Sequence, residues 1–277
     1  MCLLAASACG ADAGAKRTTR SGSRGWTELA AAAPLAGLHG NARNAIAWAP
    51  LADPDDVVVE GSVPSSRAWS TSKVLVIAAY LDAVVDGDPD KVPAATRALI
   101  RAALTRSDER SIMAIHQQIP STAAAMTKVL RSIGDRTTVP TAYEGTMQWN
   151  VREQVRFMAA LGNGRVVSQR ASAYLLQQMQ PIGSQRWGLG TIGARAFKPG
   201  WMGRDESRQM GIVDAFAVAI ITTEDGPRGL GDPADYAHAV QLTRLAQLLS
   251  RRIEQAQCLL SYVPGWIARW CLTRTGP

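Results

Sequence analysis

The sequence predicts an α+β protein in which a helical block interrupts a sheet. Three observations carry that expectation. Apolar, β-branched segments lie towards both ends, at 44–50 and 57–61 and again at 194–198, 209–213 and 215–222. Between them, residues 92–179 show only helical spacing, broken by Gly, Pro and the run Asp135-Arg136-Thr137-Thr138. A long amphipathic stretch at 233–255 closes the pattern. With 277 residues and 47% apolar composition, the chain can bury one substantial core or a domain carrying an insertion.

Taken in order, residues 1–10 place the small residues Ala6-Ser7-Ala8 directly before Cys9, as at the end of a bacterial lipoprotein signal. The charged start and most of the apolar stretch of such a signal are missing. The segment therefore reads either as a truncated signal with its lipid on Cys9 or as chance. Residues 11–25 are a polar tether rich in Gly, Ser, Thr and Arg, so 1–25 is signal and tether. Residues 26–38 predict an Ala-rich helix. The strands at 44–50 and 57–61 flank a turn holding Asp53-Pro54-Asp55-Asp56, which predicts a hairpin. An apolar helix follows from Ser70, stopped by Asp86-Gly87-Asp88-Pro89. From Val74 to Val85 it is apolar on nearly every face, which places it in the middle of the protein. Helices are predicted at 94–105, 109–118, 122–133, 151–161 and 168–180. The partition is then an α/β part at 26–66 and 184–257, a helical part at 67–183, and a tail at 258–277. That tail, apolar and carrying Trp266 and Trp270, reads equally as a membrane- or partner-contacting segment and as an extension with no role.

The net charge of +7 is unevenly placed. Lys16, Arg17, Arg20 and Arg24 near the start and Arg269 and Arg274 near the end leave the body only weakly basic. That argues against a nucleic-acid-binding domain, which carries its basic patch on the fold. Basic ends suit an anionic membrane or wall, or simple solvation. The four cysteines, Cys2, Cys9, Cys258 and Cys271, all lie outside 11–257. The fold therefore needs no disulfide framework, and spacing alone leaves a Cys258–Cys271 bridge open. His39, His116 and His238 show no ligand spacing and read as ordinary surface or core residues. Neither a metal nor a cofactor is expected.

The chemistry-bearing stretch is Trp69-Ser70-Thr71-Ser72-Lys73. Residues three apart share a helix face, so the Ser70 hydroxyl and the Lys73 amine can meet. A serine becomes a nucleophile when a neighbouring base takes its proton, and a lysine is such a base once burial lowers its pKa. A helix start adds free N–H groups suited to a developing oxyanion. Such a short pattern also arises by chance in a chain this long. The chain has only five lysines, however, and Lys73 and Lys198 both fall in chemically suggestive places.

Two further patterns accompany it. Ser107-Asp108-Glu109 sits between two predicted helices, and Lys198-Pro199-Gly200-Trp201 sits at the end of the first late strand. In this chain order the set resembles the Ser-x-x-Lys, Ser-Asp-Asn and Lys-Thr-Gly motifs of class A β-lactamases and penicillin-binding proteins. The resemblance runs over about 26–255. The Trp-Ser-Thr-x-Lys form and the tryptophan after the glycine are similar to secreted actinobacterial-type serine hydrolase-like lipoproteins. The resemblance implies a five-stranded antiparallel sheet flanked by helices, with an inserted all-helical subdomain. It also implies an exported, envelope-associated monomer acting on β-lactam-like or D-Ala-containing peptidoglycan-like small molecules. Ser70 would be the nucleophile, Lys73 its base, Ser107 a proton relay to the leaving nitrogen, and Lys198 a positive potential for Ser107 and an anionic substrate. The Ser70 and Trp201 N–H groups would form the oxyanion hole, with Gly200 beside them and Trp69 and Trp201 flanking the cleft.

The departures are specific. Glu109 stands where the family has Asn; a carboxylate beside Lys73 favours the protonated amine and weakens it as a base. Pro199 stands where the family has a hydroxyl or glycine, and a proline there requires a sheet edge. The class A deacylating pair, Glu-x-x-x-Asn, has no match at its spacing; residues 141–150 offer Glu144 and Asn150 instead. Two functions follow: a serine acyl hydrolase of the cell envelope with weak deacylation, or a non-catalytic lipoprotein of the same fold that binds a wall component or partner. An esterase of the related Ser-x-x-Lys type is a third.

Overall fold

The computed structural model describes residues 37–63, 66–202, 206–224 and 237–260. Almost all of the expected helix at 26–38 lies outside the described residues, as do Cys9, the tether and residues 261–277.

Five strands form one antiparallel sheet: β1 (Asn44–Pro50), β2 (Val58–Gly61), β3 (Ala196–Met202), β4 (Glu206–Val213) and β5 (Phe216–Thr222), in the order β2-β1-β5-β4-β3. The central strands are buried on both faces, which is why they read as continuous apolar runs. Their period of two divides them between two cores. Ala47, Ala49, Met210, Ile212, Ala217 and Ala219 face the helical block. Ile46, Trp48, Phe216, Val218 and Ile220 pack with the final helix, α7 (Ala237–Leu260), through its Ala239, Leu242, Ala246, Leu249 and Ile253.

The helical block holds α1 (Ser72–Ala83), α2 (Ala94–Arg106), α3 (Glu109–His116), α4 (Thr122–Ser132), α5 (Val151–Gly162) and α6 (Gln169–Gln178). Every residue of α1 from Ser72 to Leu81 is buried, as its all-round apolarity predicts. It packs against α3, α4 and α6, while α5 lies between the block and the sheet. Cap chemistry sets the starts: the side chains of Asp108, Asn150 and Ser168 accept the N–H groups of Ser111, Glu153 and Ala171. Among the described residues no helix is long and apolar enough to cross a membrane, and no side-chain cluster could hold a metal ion.

Two boundary differences bear on the site and on the tail. β3 starts at Ala196 and continues to Met202, so Lys198-Pro199-Gly200-Trp201 lies within the strand instead of at its end. Pairing with β4 along its whole length holds it extended through the proline. The final helix runs on past Cys258 to Leu260, because no Gly or Pro interrupts the chain before Pro264.

One buried cation ties the sheet to the loops around α1. Arg208, on β4, is fully buried, and burial lowers its pKa to about 10. Its guanidinium donates to the carbonyls of Ser66 and Trp149, at 2.7 and 2.9 Å, and to that of Arg67. The same two segments also pair directly, Ala68 N–H with Met147 O and Trp149 N–H with Ser66 O. Arg208→Met keeps much of the side-chain bulk but strands three buried carbonyls. It should cost about 3 kcal/mol, since each such group costs on the order of 1–3 kcal/mol. Urea denaturation at pH 7 measures this, and a loss below about 1 kcal/mol would show the carbonyls to be satisfied another way.

Candidate active site

Residues Trp69–Thr71 form a 3-10 turn that leads into α1. Trp69 sits at φ 45, a left-handed conformation that strains a bulky residue. Three hydroxyls follow it. Thr71 and Ser72 turn theirs back onto the carbonyls of Ala68 and Trp69. Ser70 instead presents its Oγ to Lys73 Nζ at 2.9 Å.

Lys73 is buried and its Nζ makes three contacts: Ser70 Oγ, the Ser107 carbonyl at 3.0 Å, and Glu109 Oε2 at 2.8 Å. That is the full donor complement of an ammonium group. Ser107 closes α2 at φ 58, a left-handed residue that turns its carbonyl to Lys73 and its hydroxyl to Lys198. Asp108 then caps α3, and hydrogen bonds from the Ser111 hydroxyl and then its N–H hold the carboxyl below the usual range. Glu109 opens α3, with its second oxygen accepting the Tyr143 hydroxyl at 3.0 Å. Partial burial pushes the Glu109 carboxyl up. The hydrogen bond and charge of Lys73, helped by Tyr143 and His116, outweigh that and leave it below the ordinary value. The carboxylate in turn raises the Tyr143 phenol and keeps it a donor.

Across the cleft, β3 passes the same turn. A Cβ on Gly200 would lie 2.8 Å from Ser70 N and 2.9 Å from Thr71 N, so only glycine permits this approach. Phe197 N–H leaves the sheet to bond Met179 O at 3.1 Å. By the strand's period of two, Pro199 N and Trp201 N–H face that same open side. Proline therefore costs no ladder bond on this edge, and the Trp201 N–H points where the Ser70 N–H also lies. Lys198 is fully buried, its Nζ bonded to Ser107 Oγ and to Pro199 O. Burial first, and the Lys73 charge second, hold its amine well below the usual lysine range.

The cleft is small, about 100 Å³, and is lined by Ser70, Lys73, Glu109, Trp69 and Trp201 of the predicted residues. Ser107, Lys198 and Gly200 are not among its lining residues: they lie behind it, Ser107 against Lys73 and Lys198, and Gly200 against the turn that carries Ser70. Cys9 lies outside the described residues. Sequence reasoning missed Tyr143 and Met202, which line it too, and the pairing of Glu144 with His116. His116 Nε2 lies 2.9 Å from the buried Glu144 Oε2. A signal for that existed: Glu109 and His116 are seven residues apart on one helix, hence on one face, and both turn to the 141–149 loop.

No family profile and no curated protein matches the sequence. Solved structures do match in shape. The chromosome-encoded β-lactamase of Vibrio parahaemolyticus superposes with a TM-score of 0.59 at 16% identity, over 76% of this chain and 94% of that one. The fold is that of the β-lactamases. The protein PBP-A matches at 0.57 and 20%, covering 83% and 96%. A class A β-lactamase from Mycobacterium abscessus matches at 0.57 and 13%, covering 82% and 99%. This β-lactamase-like, penicillin-binding-protein-like fold places the three motifs around one cleft.

The Lys73–Glu109 pair makes the site pH-sensitive. The folded carboxyl lies below its ordinary 4.5, so the pair stabilises the protein above that value. The contribution is lost as pH falls below 4.5 and through the folded pKa. Wild type should therefore exceed Glu109→Gln in stability at pH 7, with a smaller gap at pH 3. Urea titrations of both proteins at the two pH values measure it.

Proposed function

We propose that the protein is a serine acyl hydrolase in which Ser70 forms an acyl-enzyme slowly and releases it more slowly still. The observation that carries this is Lys73 Nζ bridging Ser70 Oγ and Glu109 Oε2 at 2.9 and 2.8 Å. Passing one ammonium proton to Glu109 frees the amine to accept the Ser70 proton. Oγ then bonds the acyl carbon, the carbon–nitrogen or carbon–oxygen bond breaks, and the leaving atom takes the Ser107 hydroxyl proton, which Lys198 Nζ replaces across their hydrogen bond. The Ser70 and Trp201 N–H groups stabilise the oxyanion. The depressed Glu109 carboxyl is a weak proton acceptor, which supports slow acylation. Release needs a water deprotonated on the opposite face of the ester. Of the carboxylates that line the cleft, Glu109 is engaged by Lys73 and Glu144 is buried against His116.

The same Lys73–Glu109 pair supports a second reading, a non-catalytic protein of this fold that binds a wall component or a partner. On the first reading, benzylpenicillin should leave a penicilloyl adduct on Ser70 that persists for many minutes and is absent from Ser70→Ala. Intact-mass spectrometry, run in parallel with a fluorophosphonate, separates the outcomes. No adduct from either probe favours the binding protein. Rapid multiple turnover without an adduct would implicate Glu109 or Glu144 as a deacylating base.

Both readings put the protein at the cell envelope, supported by Ala6-Ser7-Ala8-Cys9 and a body without cysteine. Expressed with a complete export signal, it should fractionate with membranes. Cys9→Ala should release it, and an unchanged membrane fraction in that variant rejects lipidation.

A further inference from the structure

Resting on the acyl-enzyme reading above, we propose that the site selects acyl compounds without a carboxylate, that is, neutral esters or amides, and disfavours acyl anions.

The groups that would receive a substrate carboxylate are turned to other uses. Lys198, to which the resemblance assigns that cation, is wholly buried, and its Nζ is taken up by Ser107 Oγ and Pro199 O. Burial, and then the Lys73 charge, hold its amine well below the usual lysine range. Pro199 has neither a hydroxyl nor an N–H to donate. Arg208, opposite Gly200 on the neighbouring strand, is buried too, and its guanidinium is bound to the carbonyls of Ser66, Arg67 and Trp149. The cation that does reach the cleft, Lys73, carries Glu109 directly on it.

What the cleft presents instead is a carboxylate among aromatic and apolar surface. The Glu109 side chain is 50% exposed, and Lys73 holds it ionised. Trp69, Trp201 and Met202 supply aromatic and apolar surface around Ser70, and Tyr143, Glu144 and Gly145 complete the wall. An incoming carboxylate would lose its hydration against those rings, meet Glu109, and find no unpaired cation among the described lining residues. A neutral acyl group needs only the Ser70 and Trp201 N–H groups for its carbonyl and an apolar wall for the remainder.

Two matched pairs test this: benzylpenicillin against its methyl ester, and 3-carboxyphenylboronic acid against phenylboronic acid. The first pair is read as the second-order rate of Ser70 acylation by intact mass, the second as the affinity of a reversible serine adduct that has no leaving group. The neutral member of each pair should be favoured by about tenfold, because an incoming carboxylate loses hydration where the cation lining the cleft is already paired with Glu109. Glu109→Gln should shrink both ratios. Equal or better reaction of the anionic members overturns the inference and leaves the acyl-enzyme reading standing. Ratios that Glu109→Gln does not move overturn it as well. Failure of all four compounds to engage Ser70 removes the acyl-enzyme reading and this inference together.

Discussion

The structure depends on how closely β3 runs across the first turn of α1. Sequence-distant halves of the chain meet there, and the meeting is possible because residue 200 has no side chain. Two other constraints hold the turn in place. Arg208 draws the segment before it and the loop before α5 onto β4. The left-handed Trp69 then swings the next residue outwards, so that Ser70, and not Thr71 or Ser72, has its hydroxyl in the cleft. Conformational strain of order 1–3 kcal/mol persists only where surroundings over-determine it, and here packing and hydrogen bonds do so.

Much of this was legible in the sequence because it is local. The all-round apolarity of α1, the caps Asp108 and Asn150, and the apolar strands each state a local preference that packing did not override. The Ser70–Lys73 meeting follows from helix geometry alone. The proline at 199 was readable as a demand for an edge, and β3 is an edge. What stayed illegible is depth and long-range pairing. Residue type does not reveal that Lys198 is sealed beneath Ser107, or that Tyr143 crosses 34 residues to reach Glu109. The extent of β3 was underestimated for the same reason: its continuation to Met202 is imposed by β4, not by its own composition.

Charge is arranged here with few groups. Lys73 and Glu109 neutralise one another in the cleft, while Lys198 and Arg208 lie behind it, bound chiefly to backbone carbonyls and one serine hydroxyl. A buried cation among carbonyl dipoles holds backbone in place, and its partners are geometric more than electrostatic. Lys198 and Arg208 thus serve largely to hold backbone in place, while Glu109 keeps half of its side chain exposed beside the buried Lys73.

The outer margin of β3 has a further consequence for the shape of what can bind. A strand at a sheet edge normally offers every second N–H to an incoming extended chain. Along this margin Phe197 N–H is already taken by Met179 O, and Pro199 has none to give. Trp201 is left as a single isolated donor. A polypeptide laid alongside as a sixth strand would find one rung where it needs several, whereas a compact molecule with one carbonyl needs no more than that rung. This margin of β3 is therefore a poor template for strand-by-strand association.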